Sequence, residues 1–130
     1  PFPPRLSFDL HKMDSEFYRM YEDSCQIVKK AKEEGRNICS IGNTTMRALE
    51  SSYTSMGLLK PSEGWTNNFI HPPYKFNVAN ALVTNFNLPK SSLLILTAAF
   101  AGYDLIMEAY KKAIKDKYKF STYGDAMLVL

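Results

Sequence analysis

No stretch of this sequence is long and apolar enough to cross a bilayer as a helix. The longest apolar run, Leu93 to Ala101, is broken by Thr97 and falls well short of the roughly 20 residues a span requires. An excess of one charge is lacking too, since 16 Lys and Arg stand against 13 Asp and Glu, a formal +3. That balance permits a nucleic-acid partner and does not demand one. Histidine and cysteine number two each. His11 and His71 are solitary and Cys25 and Cys39 are too far apart for a short ligand spacing, so no metal site is expected. Two small buried thiols are the ordinary reading of such cysteines. The proline-rich start, Pro1 to Arg5, lacks the segments of a secretory signal, and a cytoplasmic protein with no membrane partner is expected.

What is present suits one folded domain over residues 1–130. With 45% hydrophobic and 22% charged residues, a chain of 130 buries about two thirds of its unfolded surface and needs no disulfide or metal to fold. There is no internal repeat, low-complexity tract or internal linker.

Periodicity places the elements. Phe17, Met20, Tyr21, Cys25, Val28 and Ala31 fit a helical stripe, although Glu16 to Met20 can also run extended. From Glu22 a helix is expected: Glu22 and Asp23 suit its positive start, Lys29, Lys30 and Lys32 its end, and Gly35 stops it. Arg36 to Gly42 reads as a strand alternating at Cys39 and Ile41. Asn43-Thr44-Thr45 then opens a helix with Met46, Leu49 and Tyr53 near one face. Pro61 to Gly64 punctuates the chain, Phe69-Ile70-His71 reads as a strand ended by Pro72-Pro73, and Ala79 to Thr84 as another. Ser91 and Ser92 open a helix that Leu93 to Leu96 make apolar all round, hence buried, and Gly102 ends it. Asp104 starts a surface helix with Ile106, Ala109, Tyr110 and Ala113 on one side and Lys111, Lys112 and Lys115 on the other. Ala126 to Leu130 suits a strand buried on both faces. Alternating strands and helices predict an α/β fold, a layered α/β/α domain with a central sheet and helices on both faces.

Four clusters can carry chemistry. Gly42-Asn43-Thr44-Thr45 lies where a strand feeds a helix, the usual ligand crevice of open α/β sheets, and could hold a carboxylate, a phosphate or ribose hydroxyls or simply cap the helix. Thr84 to Ser92 is polar between apolar flanks, and Lys90 at a helix start is unfavourable with the macrodipole, which hints at an anionic partner. His11, Asp14 and Glu16 include two acids on one face of an extended segment, a pairing that can divide general acid and base work. Lysines 111 to 119, interleaved with Tyr110, Tyr118 and Phe120, could meet phosphates and bases; a solvated helix face is the plainer account.

Together the clusters resemble a known family. The run from Gly42 to Ser51 is similar to GTTSVRTLES, and that from Leu82 to Leu94 to LLTNFHLPKSTLL; Ala98 to Gly102 and Tyr123 to Met127 match in the same order. On these motifs the chain resembles the S-adenosylmethionine:tRNA ribosyltransferase-isomerase family of queuosine biosynthesis, from about Lys12 to Leu130, and only its C-terminal part. The resemblance implies that Pro1 is a cut inside a longer protein whose upstream domain is a partner. It also implies that S-adenosylmethionine serves as ribosyl donor, and that the acceptor is 7-aminomethyl-7-deazaguanine in tRNA, converted to epoxyqueuosine. It further implies that Thr44, Thr45 and Arg47 grip the donor, that Asn85, Asn87, Lys90 and Ser91 line the reaction crevice, and that Glu16 and Lys90 are the catalytic candidates.

The chain departs from the family pattern at several positions. Asp14 and Asn87 stand where the family has histidines, and Asn43, Pro73 and Asn80 replace a threonine, a glycine and an aspartate. Asparagine exchanges no proton near neutral pH. A module that binds S-adenosylmethionine or RNA without catalysing the transfer is therefore the alternative expectation.

Overall fold

The computed structural model describes residues 15–66, 70, 73–88 and 91–130. The strand expected around Phe69 to His71, the cluster members His11 and Asp14, and Lys90 lie outside the described residues, Ile70 excepted.

The first described element is a strand: β1 (Phe17–Met20) precedes α1 (Glu22–Glu33), β2 (Cys39–Ile41), α2 (Asn43–Ser52), β3 (Ser62–Trp65) and β4 (Ala81–Asn85). Then come α3 (Ser92–Ala101), α4 (Tyr103–Lys115) and β5 (Ala126–Val129). The first helix has the expected charge polarity, with Glu22 and Asp23 in its first turn and Lys30 and Lys32 in its last. Ser91 caps α3, its side chain accepting from the Leu94 N–H at 3.3 Å. Gly102, at φ 98°, both ends α3 and starts α4.

The α/β class is as expected, but the strands form two sheets. β1 pairs antiparallel with β3, while the other sheet has the order β2-β4-β5, parallel then antiparallel. On the three-stranded sheet Ser40, Leu82 and Val129 lie side by side and are buried. All four helices contribute to the two buried clusters built on this face. One joins Cys25, Met46, Leu49, Leu82, Leu96 and Val129. The other joins Phe86, Leu94, Ile95, Ala98, Ile106 and Tyr110. Burial of each large apolar side chain contributes roughly 1.5–3 kcal/mol. Across the opposite face Ile41, Val83 and Leu128 line up, and Ile41 and Leu128 are 65% and 58% exposed. Among the described residues the expected helical layer over that face is therefore missing. For the same reason β5, an edge strand, is not buried on both faces: only Val129 is fully buried in it. Of the two cysteines Cys25 is buried and Cys39, on the open face, is exposed, which corrects the expectation of two buried thiols.

Among the described residues no single helix is long and apolar enough to cross a membrane.

Candidate functional site

β2 and β4 run parallel, and both end at the same edge of the sheet, where β5 begins opposite Asn85. Ligands of open α/β sheets bind outside such carboxyl ends. A cleft of about 580 Å³ lies there, walled by Gly42, Asn43 and Thr44 on one side and by Thr84, Asn85, Asn87 and Leu88 on the other. Ser91 and Leu93 from the start of α3, and Ser121 and Thr122 before β5, complete the wall. The two polar turns singled out in the sequence thus share one rim.

Local chemistry sets each wall. Gly42 adopts φ 97°, a conformation that favours glycine, and its N–H donates to the Val83 carbonyl at 2.7 Å. The chain therefore turns sharply from β2 into α2 with Gly42 as N-cap and no side-chain cap. This corrects the plainer reading of Asn43-Thr44-Thr45 as a helix cap. The first N–H groups of α2, at the positive end of the helix dipole, thus have no side-chain cap.

Asn43 is buried beneath this turn, and its Nδ2 donates to the Leu93 carbonyl at 3.1 Å and to Thr97 Oγ1 at 3.4 Å. Its Oδ1 is buried without a partner. On the other wall the Asn87 N–H donates to the Tyr110 hydroxyl at 2.8 Å, which anchors that loop to α4, while the Asn87 Nδ2 is buried without a partner. Buried polar atoms in native structures are nearly always satisfied, so an unpartnered acceptor and donor on two residues that line one cleft mark a place where a partner is missing. Burial pushes the Tyr110 hydroxyl up to about 12, the hydrogen bond from the Asn87 N–H opposing, and keeps it protonated at neutral pH.

Asn85 and Ser91 also line the cleft, although the Asn85 Nδ2 donates to the Asp125 carbonyl at 3.3 Å and the Ser91 hydroxyl is engaged as the α3 cap. Thr44 is exposed in the wall; Thr45, one residue on, is exposed but does not line it. Arg47 and Glu16 sit elsewhere. Arg47 is buried in α2, with its Nη1 3.1 Å from Glu16 Oε2 just before β1, and neither belongs to the cleft wall. The sequence reading missed Ser121 and Thr122, which approach the cleft only because β5 pairs back onto β4. Asp and Glu are absent from the described cleft wall, as are His, Lys, Cys and Tyr. Among the described residues no cluster of three or more His, Cys, Asp or Glu could hold a metal ion.

With this geometry in place, the comparisons with known proteins fall into line. The chain is 58% identical over 120 residues to an S-adenosylmethionine:tRNA ribosyltransferase-isomerase of Phocaeicola vulgatus, covering 92% of this chain and 34% of that protein. It is 50% identical to the protein of that name from Halothermothrix orenii, covering 92% and 35%. The crystal structure of an S-adenosylmethionine tRNA ribosyltransferase from Thermotoga maritima superimposes with a TM-score of 0.78 at 44% identity, covering 88% of this chain and 40% of that one. The chain spans about a third of the length of the curated relatives it matches. The family model described as queuosine biosynthesis protein matches residues 5–129, and the chain belongs to that family.

Proposed function

We propose that this chain supplies the donor-binding cleft of an enzyme that transfers and isomerises the ribosyl moiety of S-adenosylmethionine onto 7-aminomethyl-7-deazaguanine in tRNA. The observation that carries the reading is the buried, unpartnered pair of Asn43 Oδ1 and Asn87 Nδ2 in one cleft with the uncapped start of α2. An α-amino-acid group suits that set. Its carboxylate matches the free N–H groups and positive dipole of α2, its ammonium donates to Asn43 Oδ1, and Asn87 Nδ2 donates to an oxygen of the donor. Thr44 and Asn85 offer further polar contacts along the wall, and Ser91 holds α3 in register beside them. Arg47 and Thr45 act from behind the wall, Arg47 by tying α2 to Glu16.

Proton transfer is assigned to groups beyond the described wall, which has no titratable side chain. Lys90 is the first candidate, because Leu88 and Ser91, its near neighbours in sequence, both line the cleft. Glu16 is the second. The upstream portion of the longer relatives supplies the remainder of the site, and the setting is the cytoplasm, where tRNA is modified.

The test is to incubate the full-length protein with S-adenosylmethionine and precursor tRNA: adenine release with formation of the modified base is expected, and absence of both overturns the catalytic reading. A second reading, binding without turnover, is favoured by the neutral wall and by Asn87 at a family histidine position. Saturable donor binding by calorimetry with no adenine released selects it.

A further inference from the structure

Between α4 and β5 the chain makes a turn that no role above has used. Lys119 N–H donates to Asp125 Oδ2 at 2.7 Å, Asp125 N–H to the Lys119 carbonyl at 2.8 Å, and Gly124 N–H to the Ser121 carbonyl at 2.9 Å. The turn is stapled to the cleft wall as well, since Ser121 N–H donates to the Phe86 carbonyl at 2.8 Å and Phe86 N–H to the Asp125 carbonyl at 3.2 Å. Gly124 is required by space: a Cβ there would collide with the backbone of Lys119 and Phe120. This closely bonded turn nevertheless leaves Tyr123 99% exposed, one residue from the cleft-lining Thr122. A large aromatic ring held by a rigid backbone against open solvent gains nothing from the fold itself.

Positive charge is in excess around it. The exposed Asp125 carboxylate accepts from the Lys119 N–H and keeps its charge, while Asp116 pairs with Lys112 at 3.2 Å. Lys115, Lys117 and Lys119 are exposed and make no ion pair among the described residues. Of the aromatics interleaved with these lysines, Tyr110, Tyr118 and Phe120 all pack around Phe86, although Tyr118 keeps about half its surface exposed; Tyr123, outside the original run, is the ring almost wholly open to a ligand.

We infer that Tyr123 is a stacking platform for an unpaired base of a single-stranded RNA loop, beside the base that enters the cleft, with Lys117 and Lys119 meeting the flanking phosphates. Every base offers a π-face, and lysines beside an exposed ring match the alternation of base and phosphate along a strand. The inference rests on the cleft being the donor site, and it deepens that reading by naming where the RNA lies.

The experiment uses the full-length protein and a fluorescent RNA hairpin with an unpaired loop, read by anisotropy across a salt series, with S-adenosylmethionine affinity measured in parallel by calorimetry. Tyr123→Ala is expected to weaken hairpin binding by roughly tenfold or more, while Tyr123→Phe stays within about twofold of the parent. The double variant Lys117→Ala/Lys119→Ala should lower the salt slope by about one to two units. Donor affinity should be unchanged in all of them, and the exposure of Tyr123 leaves the fold intact. Hairpin affinity indifferent to Tyr123→Ala, or an equal loss against a fully paired duplex, overturns the platform; unaltered donor binding then leaves the cleft reading standing. Tyr123-dependent hairpin binding by a protein that takes up no donor supports the platform and overturns the cleft reading.

Discussion

Asn87, a residue of the cleft wall, has its backbone N–H held by Tyr110 and its Nδ2 buried without a partner. Because that nitrogen makes no hydrogen bond within the protein, Asn87→Ala should cost little stability and weaken S-adenosylmethionine binding by roughly tenfold, the worth of one hydrogen bond, as calorimetry would show. Asn87→His tests the departure from the family run. A rise in adenine release would make the asparagine the defect and a histidine there the missing acid or base, whereas an unchanged rate would leave proton transfer with Lys90, Glu16 or the upstream portion. Gly42→Ala acts differently, since the space is open but φ 97° is not, and it should cost about 1–2 kcal/mol in a denaturant titration. At this scale the sequence was informative about which turns line the cleft and silent about what each atom does. Arg47 stands in the 42–51 run and Glu16 in the acidic cluster, yet their pairing away from the cleft comes from the packing of β1 against α2, a contact no local spacing encodes.

Among the elements, helices were the most legible, because caps, charge polarity and glycine stops are local signals. α1, α2 and α3 lie where those signals put them, and α4 starts one residue ahead of Asp104. β3 was not legible. Its Ser62-Glu63-Gly64-Trp65 reads as a turn, and it is a strand only because β1 pairs with it, Gly64 opposite Tyr18. Tyr110 shows how one element positions another: α4 reaches through the Phe86 cluster to hold the 86–88 wall of the cleft. Tyr110→Phe should leave the buried Asn87 N–H unsatisfied, cost about 1–3 kcal/mol, and loosen donor binding. Its titration has a definite sign as well. The hydroxyl titrates near its ordinary 10 when unfolded and at about 12 when folded. Its contribution to stability is therefore fully present below pH 10 and lost as pH rises through the folded value. Chemical denaturation across that range should show the decline, and it should be smaller in Tyr110→Phe.

At the scale of the molecule, the described residues form a two-stranded sheet beside a three-stranded one that has one face filled by helices and the other presenting Ile41, Val83 and Leu128. The motifs announced an α/β unit, but which face would be covered depends on more than these residues. Such an apolar row favours association, so Ile41→Thr/Leu128→Thr should reduce light scattering by the 130-residue chain at little cost in thermal stability. The central claim is that the carboxyl edge of β2 and β4 holds the donor. The most direct measurement is an amide-resolved NMR titration of the isotope-labelled protein with S-adenosylmethionine. Saturable shifts concentrated at Gly42 to Thr44, Asn87 and Ser91, including the Asn87 side-chain amide, are the result the account predicts. Saturable shifts gathered elsewhere with those amides unmoved, or no saturable shift at all, would contradict it.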